Sequence, residues 1–95
     1  MTTRDKTTNS ERFLQAFGAI ERQLRIMTGL EKRARFYTLV DKGAESNAAV
    51  RRFSDDLKEF ADLRNAIVHE RTDAHVLAEP NDRAVRQIEY IQDLL

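Results

Sequence analysis

The sequence predicts an all-α protein folded as an antiparallel four-helix bundle. Four stretches of the 95-residue chain space their apolar residues three and four apart, the period of an amphipathic helix. No run of alternating β-branched residues occurs, so strands find almost no support. Only one Pro and three Gly interrupt the chain, and amphipathic helices joined by short links pack most simply as antiparallel neighbours. The length sets one domain, expected over residues 10–95 behind a flexible, Thr-rich tail at residues 1–9.

Thr8, Asn9 or Ser10 can cap the first helix, and Glu11, three after Thr8, completes a capping box. This helix is expected to reach about Leu30, with Phe13, Phe17, Ile20, Leu24 and Met27 on one face. The second is expected from about Lys32 to Lys42, turning Phe36, Leu39 and Val40 inward and ending at Gly43 in a left-handed cap. Asn47 can cap the third, which carries Val50, Phe53, Leu57, Phe60, Leu63 and Ile67 and continues to about His69. Residues 70–82 lack a period, contain the Pro and read as a loop, at whose end Asn81 or Asp82 can cap the fourth helix. That helix shows Ala84, Val85, Ile88, Ile91 and Leu95 on one side. The chain stops at Leu94-Leu95 inside this stripe and without a C-cap, as a piece of a longer chain would.

Composition closes several classes of function. Without cysteine there is no disulfide, thiolate zinc site, iron–sulfur cluster or Cys nucleophile. No apolar run approaches a membrane span and the N-terminus lacks the apolar stretch of a signal peptide, so a cytoplasmic protein is expected, with no membrane partner. Sixteen basic and sixteen acidic side chains give no net attraction for nucleic acid. Their distribution is uneven, with nine basic and six acidic residues in 1–47 and seven and ten in 48–95. Arg22, Arg25, Lys32, Arg33 and Arg35 form the densest basic stretch, either a solvated face and turn or an RNA-facing patch. A helix-turn-helix DNA reader is disfavoured, because no helix combines exposed basic and amide residues with a short Gly turn ahead of it.

The third helix breaks its own pattern. At about 100° per residue Arg64 falls within the arc of Val50, Phe53, Leu57, Phe60 and Ile67, where a Leu would serve a plain core better. An unpaired buried guanidinium would cost several kcal/mol. Arg64 must therefore reach a carboxylate, cross a dimer interface, line a wet cleft or snorkel out. Asn65 and His69, four apart, share a helix face, and the Asn can hold the imidazole in one tautomer. Expected in the last turn, His69 would also have its charged form favoured by the helix C-terminus. His69 and His75 with Glu70 and Asp73 match no common metal-ligand spacing, so no metal and no cofactor are expected.

The stretch Leu63-Arg64-Asn65-Ala66-Ile67-Val68-His69 resembles the R-N-x-x-x-H form of the Arg-x(4–6)-His motif of the HEPN (higher eukaryotes and prokaryotes nucleotide-binding) superfamily, at the end of an inner helix of a helical bundle. The likeness in helical pattern extends over most of the chain from about residue 10; the specific identity is confined to residues 60–70. The resemblance implies a HEPN-like bundle that acts as a homodimer and, in active members, a metal-independent endoribonuclease of the toxin or defence type. By position, Arg64 would bind the scissile phosphate, His69 would act as general acid or base, and Asn65 would position either. RNA would be the substrate, with 2′,3′-cyclic phosphate ends, and an antitoxin or a fused regulatory domain would be a partner. The alternative within the same resemblance is a non-catalytic dimerisation or partner-docking module. Glu70 and Asp73 beside the motif, the neutral charge and the short chain depart from a nuclease pattern.

Overall fold

The computed structural model describes residues 8–73 and 79–95, with side chains described through Val68 and again from Glu79. All regular structure among the described residues is helical: α1 (Asn9–Thr28), α2 (Phe36–Ala44), α3 (Ala48–Arg52), α4 (Ser54–Asp73) and α5 (Asp82–Leu94). Thr8 starts α1 through the expected capping box, its hydroxyl accepting from the Glu11 N–H while Glu11 accepts from the Thr8 N–H, both at 3.0 Å. Glu79 adds a second cap. Its Oε2 accepts from the N–H groups of Asn9 and Ser10, and Oε1 accepts from the Ser10 hydroxyl. A carboxylate is favoured at this positive helix end, and it satisfies the otherwise buried Ser10. Asn9 Nδ2 donates to Pro80 O and Asp82 Oδ1, fastening the entry to α5 onto the start of α1. Of the tail expected over 1–9, Thr8 is the N-cap and Asn9 the first residue of α1; residues 1–7 lie outside the described part.

Gly29, not Leu30, ends α1: its φ of 68° is left-handed, and its N–H returns to Arg25 O at 2.9 Å. Glycine takes this conformation without a Cβ clash. Gly43, expected in that role, instead lies inside α2, buried and without a positive φ. A Cβ there would stand 3.2 Å from Leu24 Cδ2 and 3.4 Å from Val50 Cγ1, so the fold uses its smallness. α2 begins at Phe36 because the chain before it turns, with the Ala34 N–H bonded to Glu31 O.

The third helix of the sequence reading divides at Phe53, whose φ of −104° and ψ of 20° leave the helical region. Its N–H closes α3 on Ala49 O and its carbonyl accepts from Leu57 N–H in α4. The Phe53 ring packs edge-on to Tyr90 of α5 at 6.2 Å, with the Arg52 guanidinium over it at 5.0 Å. Asp55 and Asp56 then occupy the first turn of α4, where negative charge is favoured. Asn47 caps α3 through Val50 N–H, and Asn81 caps α5 through Ala84 N–H. α4 runs past His69 to Asp73, over positions that the sequence reading gave to the loop.

α1 lies centrally, packed on α5, α2 and α4. Phe13, Ile20 and Leu24 meet Leu39, Val40, Val50, Leu57, Ile67, Val85, Ile88 and Ile91, all essentially inaccessible. Each such side chain contributes roughly 1.5–3 kcal/mol of burial. No helix among the described residues is long and apolar enough to cross a membrane.

Candidate functional site

The inner face of α4 is set by Leu57, Phe60, Ala61 and Ile67. Arg64, four after Phe60 and three before Ile67, belongs to that seam by spacing, yet its side chain is exposed. The seam is covered only in part at this level. α2 starts at Phe36, and between its first turn, the chain leading into it, α1 and α4 lies an open groove of about 530 Å³. Phe17 and Glu21 of α1 line one side and Ala61, Arg64 and Asn65 of α4 the other, with residues 34–37 between them. Arg64 is thus an exposed cation lining this groove, not one held by a carboxylate among the described residues.

Arg64 Nη1 donates to Asn65 Oδ1 at 3.2 Å, and Arg64 takes part in no ion pair among the described residues. Most of its donors are therefore available to a ligand. Arg35, the N-cap of α2, is also exposed, and among the described residues no side chain bonds to the first-turn N–H groups of that helix. Arg35, Arg64 and the positive N-terminal end of α2 thus line one groove. The aromatic part is fixed, since Phe36 stacks on the buried Phe17 with centroids 4.5 Å apart.

Acidic groups are fewer there and are held. Glu21 Oε2 accepts from Arg25 Nη2 at 3.0 Å, while Arg25 Nη1 donates to Glu31 O at 2.9 Å. The Tyr37 hydroxyl donates to Asp62 Oδ1 at 3.1 Å. That bond raises the phenol above the usual tyrosine range, with desolvation acting in the same direction. Lys58 lies 5.6 Å over the Tyr37 ring and pairs with Asp41 at 2.7 Å, a bond that raises its own pKa. Together these groups can bind a phosphodiester through planar guanidinium forks and seat a flat apolar group beside it.

The structure therefore brings Arg64 and Asn65 together at the groove. His69 is one turn further along α4, on the Asn65 face by spacing, and its side chain lies outside the described part, as does all of His75. Because α4 continues to Asp73, His69 is not in the last turn. The helix-end field fades within that turn, so the contribution expected from it does not apply at His69. No three His, Asp or Glu side chains among the described residues are grouped as metal ligands. Of the basic stretch, Arg35 reaches the groove, Arg25 serves the Glu21 pair, and Arg22, Lys32 and Arg33 are exposed. Sequence reasoning missed Glu21, Phe36 and Tyr37 as groove residues. Phe36 read as core, and the one available signal was its place directly after the last Arg of that stretch. Comparison of the chain with protein-family models, curated proteins and solved structures finds no match.

Proposed function

We propose that the chain is a HEPN-like helical domain that cleaves RNA as a homodimer, without a metal. In this reading α3 and α4 form a single arm bent at Phe53, and the four arms of the expected bundle are α1, α2, α3–α4 and α5. The observation that carries the reading is Arg64: a cation on the apolar seam of α4 that opens onto a groove, hydrogen-bonded to Asn65 and without an ion pair among the described residues. A seam serving packing alone would be better filled by a Leu.

The reaction that suits these groups is transesterification. The RNA 2′-oxygen attacks its own phosphorus, a base removes its proton, and the bond to the 5′ oxygen breaks as an acid protonates that oxygen. The products are a 2′,3′-cyclic phosphate and a 5′-hydroxyl. Arg64 neutralises the phosphoryl oxygens as charge develops, His69 moves the proton, and Asn65 positions the guanidinium it already touches. Arg64 and His69 are about 140° apart around an ideal helix. The second copy in the dimer supplies the group that one helix aims away.

The test is cleavage of a mixed-sequence single-stranded RNA in EDTA by the wild type, Arg64→Ala and His69→Ala, with light scattering on the same samples. Loss of at least ~10²-fold in either variant is expected. Equal activity in all three, or none in a dimeric wild type, refutes the nuclease and leaves a non-catalytic dimerisation or docking module.

A further inference from the structure

We infer that the groove is a subsite for one unpaired guanine nucleotide of single-stranded RNA: Glu21 reads the base, Phe36 supports it and Arg35 holds the neighbouring phosphate. This rests on the RNA reading above and specifies its substrate.

The carboxylate is the informative group. In a groove that only had to bind phosphate, Glu21 would repel the ligand. Here it is kept in place by Arg25, which is itself anchored on the Glu31 carbonyl. Arg25 occupies one position on Oε2, and Oε1 has no hydrogen-bond partner among the described residues. An ionised carboxylate offers about four acceptor sites, so a Glu21 side chain held by Arg25 in the lining of the groove keeps acceptors for a ligand that brings donors. Guanine is the common RNA base with two adjacent donors on its pairing edge, N1–H and the N2 amine. Adenine and cytosine offer one amine beside an acceptor, and uracil one N–H between two carbonyls. A carboxylate therefore favours guanine and disfavours uracil most.

The remaining lining fits the rest of a nucleotide. Phe36 is half-buried and held against Phe17, so its remaining surface is a fixed platform, and base stacking on an aromatic ring is tolerant of sequence. Ala34 and Ala61 keep the sides of the groove low. Its volume of about 530 Å³ suits a nucleotide better than a bare ion. Arg35 and Arg64 line it together with Glu21, so a base at Glu21 leaves its backbone to the guanidinia.

The experiment uses 5′-fluorescein hexaribonucleotides with every 2′-hydroxyl methylated, which removes the attacking group and separates binding from cleavage. Four sequences, UUGUUU, UUAUUU, UUCUUU and UUUUUU, are titrated with the full chain and read by fluorescence anisotropy. The guanine hexamer is expected to bind at least about tenfold more tightly than the uridine hexamer, the scale of a charged hydrogen bond. Glu21→Gln should abolish that preference while leaving the uridine hexamer unchanged or tighter. Arg35→Ala should weaken all four alike and flatten their salt dependence. Circular dichroism of both variants checks the fold. Equal binding of the four hexamers, no binding of any, a preference that survives Glu21→Gln, or guanosine monophosphate binding as tightly as the hexamer overturns the inference. On unmodified RNA, cleavage by the wild type without guanine selectivity overturns this subsite and spares the nuclease. Guanine-selective binding without cleavage overturns the nuclease and sustains the subsite.

Discussion

Replacing Arg64 by Ala separates a cation placed for a ligand from one placed for architecture. The side chain is exposed and its recorded partner is Asn65 Oδ1 at 3.2 Å, on a residue that is itself exposed. Water replaces that bond when the guanidinium is removed, and Ala is at least as good a helix former as Arg. The stability change is therefore expected within about 0.5 kcal/mol, the range of surface substitutions. For a domain of this size that moves Tm by less than about 4 °C. Had Arg64 been half of a buried ion pair, its loss would cost about 3–5 kcal/mol, a Tm change above about 12 °C. On the activity side a loss of ~10²-fold corresponds to about 2.7 kcal/mol of transition-state stabilisation. Thermal melts followed at 222 nm and RNA cleavage are measured on the same preparations. Arg64→Lys sharpens the comparison, since it keeps the charge without the planar fork, and should recover only part of the lost rate. Destabilisation above about 2 kcal/mol by Arg64→Ala, or unaltered cleavage by a folded variant, refutes the reasoning.

Three further expectations concern the scaffold around the groove. Phe13 is fully buried and meets both the Phe17 and Phe60 rings, so Phe13→Ala should cost about 3–5 kcal/mol in urea unfolding, and a loss below about 1 kcal/mol would contradict the packing. The two helical glycines should respond with opposite sign. Gly18→Ala, with 3.7 Å to the nearest atom, gains about 0.5–1 kcal/mol, whereas Gly43→Ala loses about 1 kcal/mol to crowding against the inaccessible Leu24 and Val50; equal signs in thermal melts would overturn the distinction. The hydrogen bond to Asp62 favours the neutral Tyr37, so whatever stability it contributes is present below the ordinary tyrosine pKa and is lost as pH rises through the raised one. Phenolate absorbance at 295 nm should accordingly show Tyr37 titrating at lower pH in Asp62→Ala than in the wild type, its assignment made with Tyr37→Phe.

The helical elements were legible where one residue type has one dominant use. The Thr8–Glu11 box, the Asn47 cap and the cap before the last helix were all readable, because each side chain bonds within its own turn. The Gly43 expectation failed for the opposite reason. Glycine ends a helix by its backbone freedom or admits a neighbour by its size, and only the approach of Leu24 and Val50 decides between the two. The break at Phe53 had a local signal in Ser54-Asp55-Asp56, a helix-start composition, that the unbroken apolar stripe concealed.

Arg64 shows how far a helical period can carry a functional argument. The stripe places it on the inner face of α4, and by spacing it stays there between Phe60 and Ile67. A period describes the angle of a residue around one helix and says nothing about where the neighbouring helices stop. α2 begins at Phe36, later than the start expected near Lys32, and the turn ahead of it leaves the seam only partly covered at the level of Arg64. That late start gives the chain both its misplaced cation and a hollow for the cation to face. It also carries Arg35 and Phe36 to the same place. A variant that extended α2 back toward Lys32 would cover the seam, and on this reasoning it would suppress RNA binding with Arg64 and Asn65 both intact.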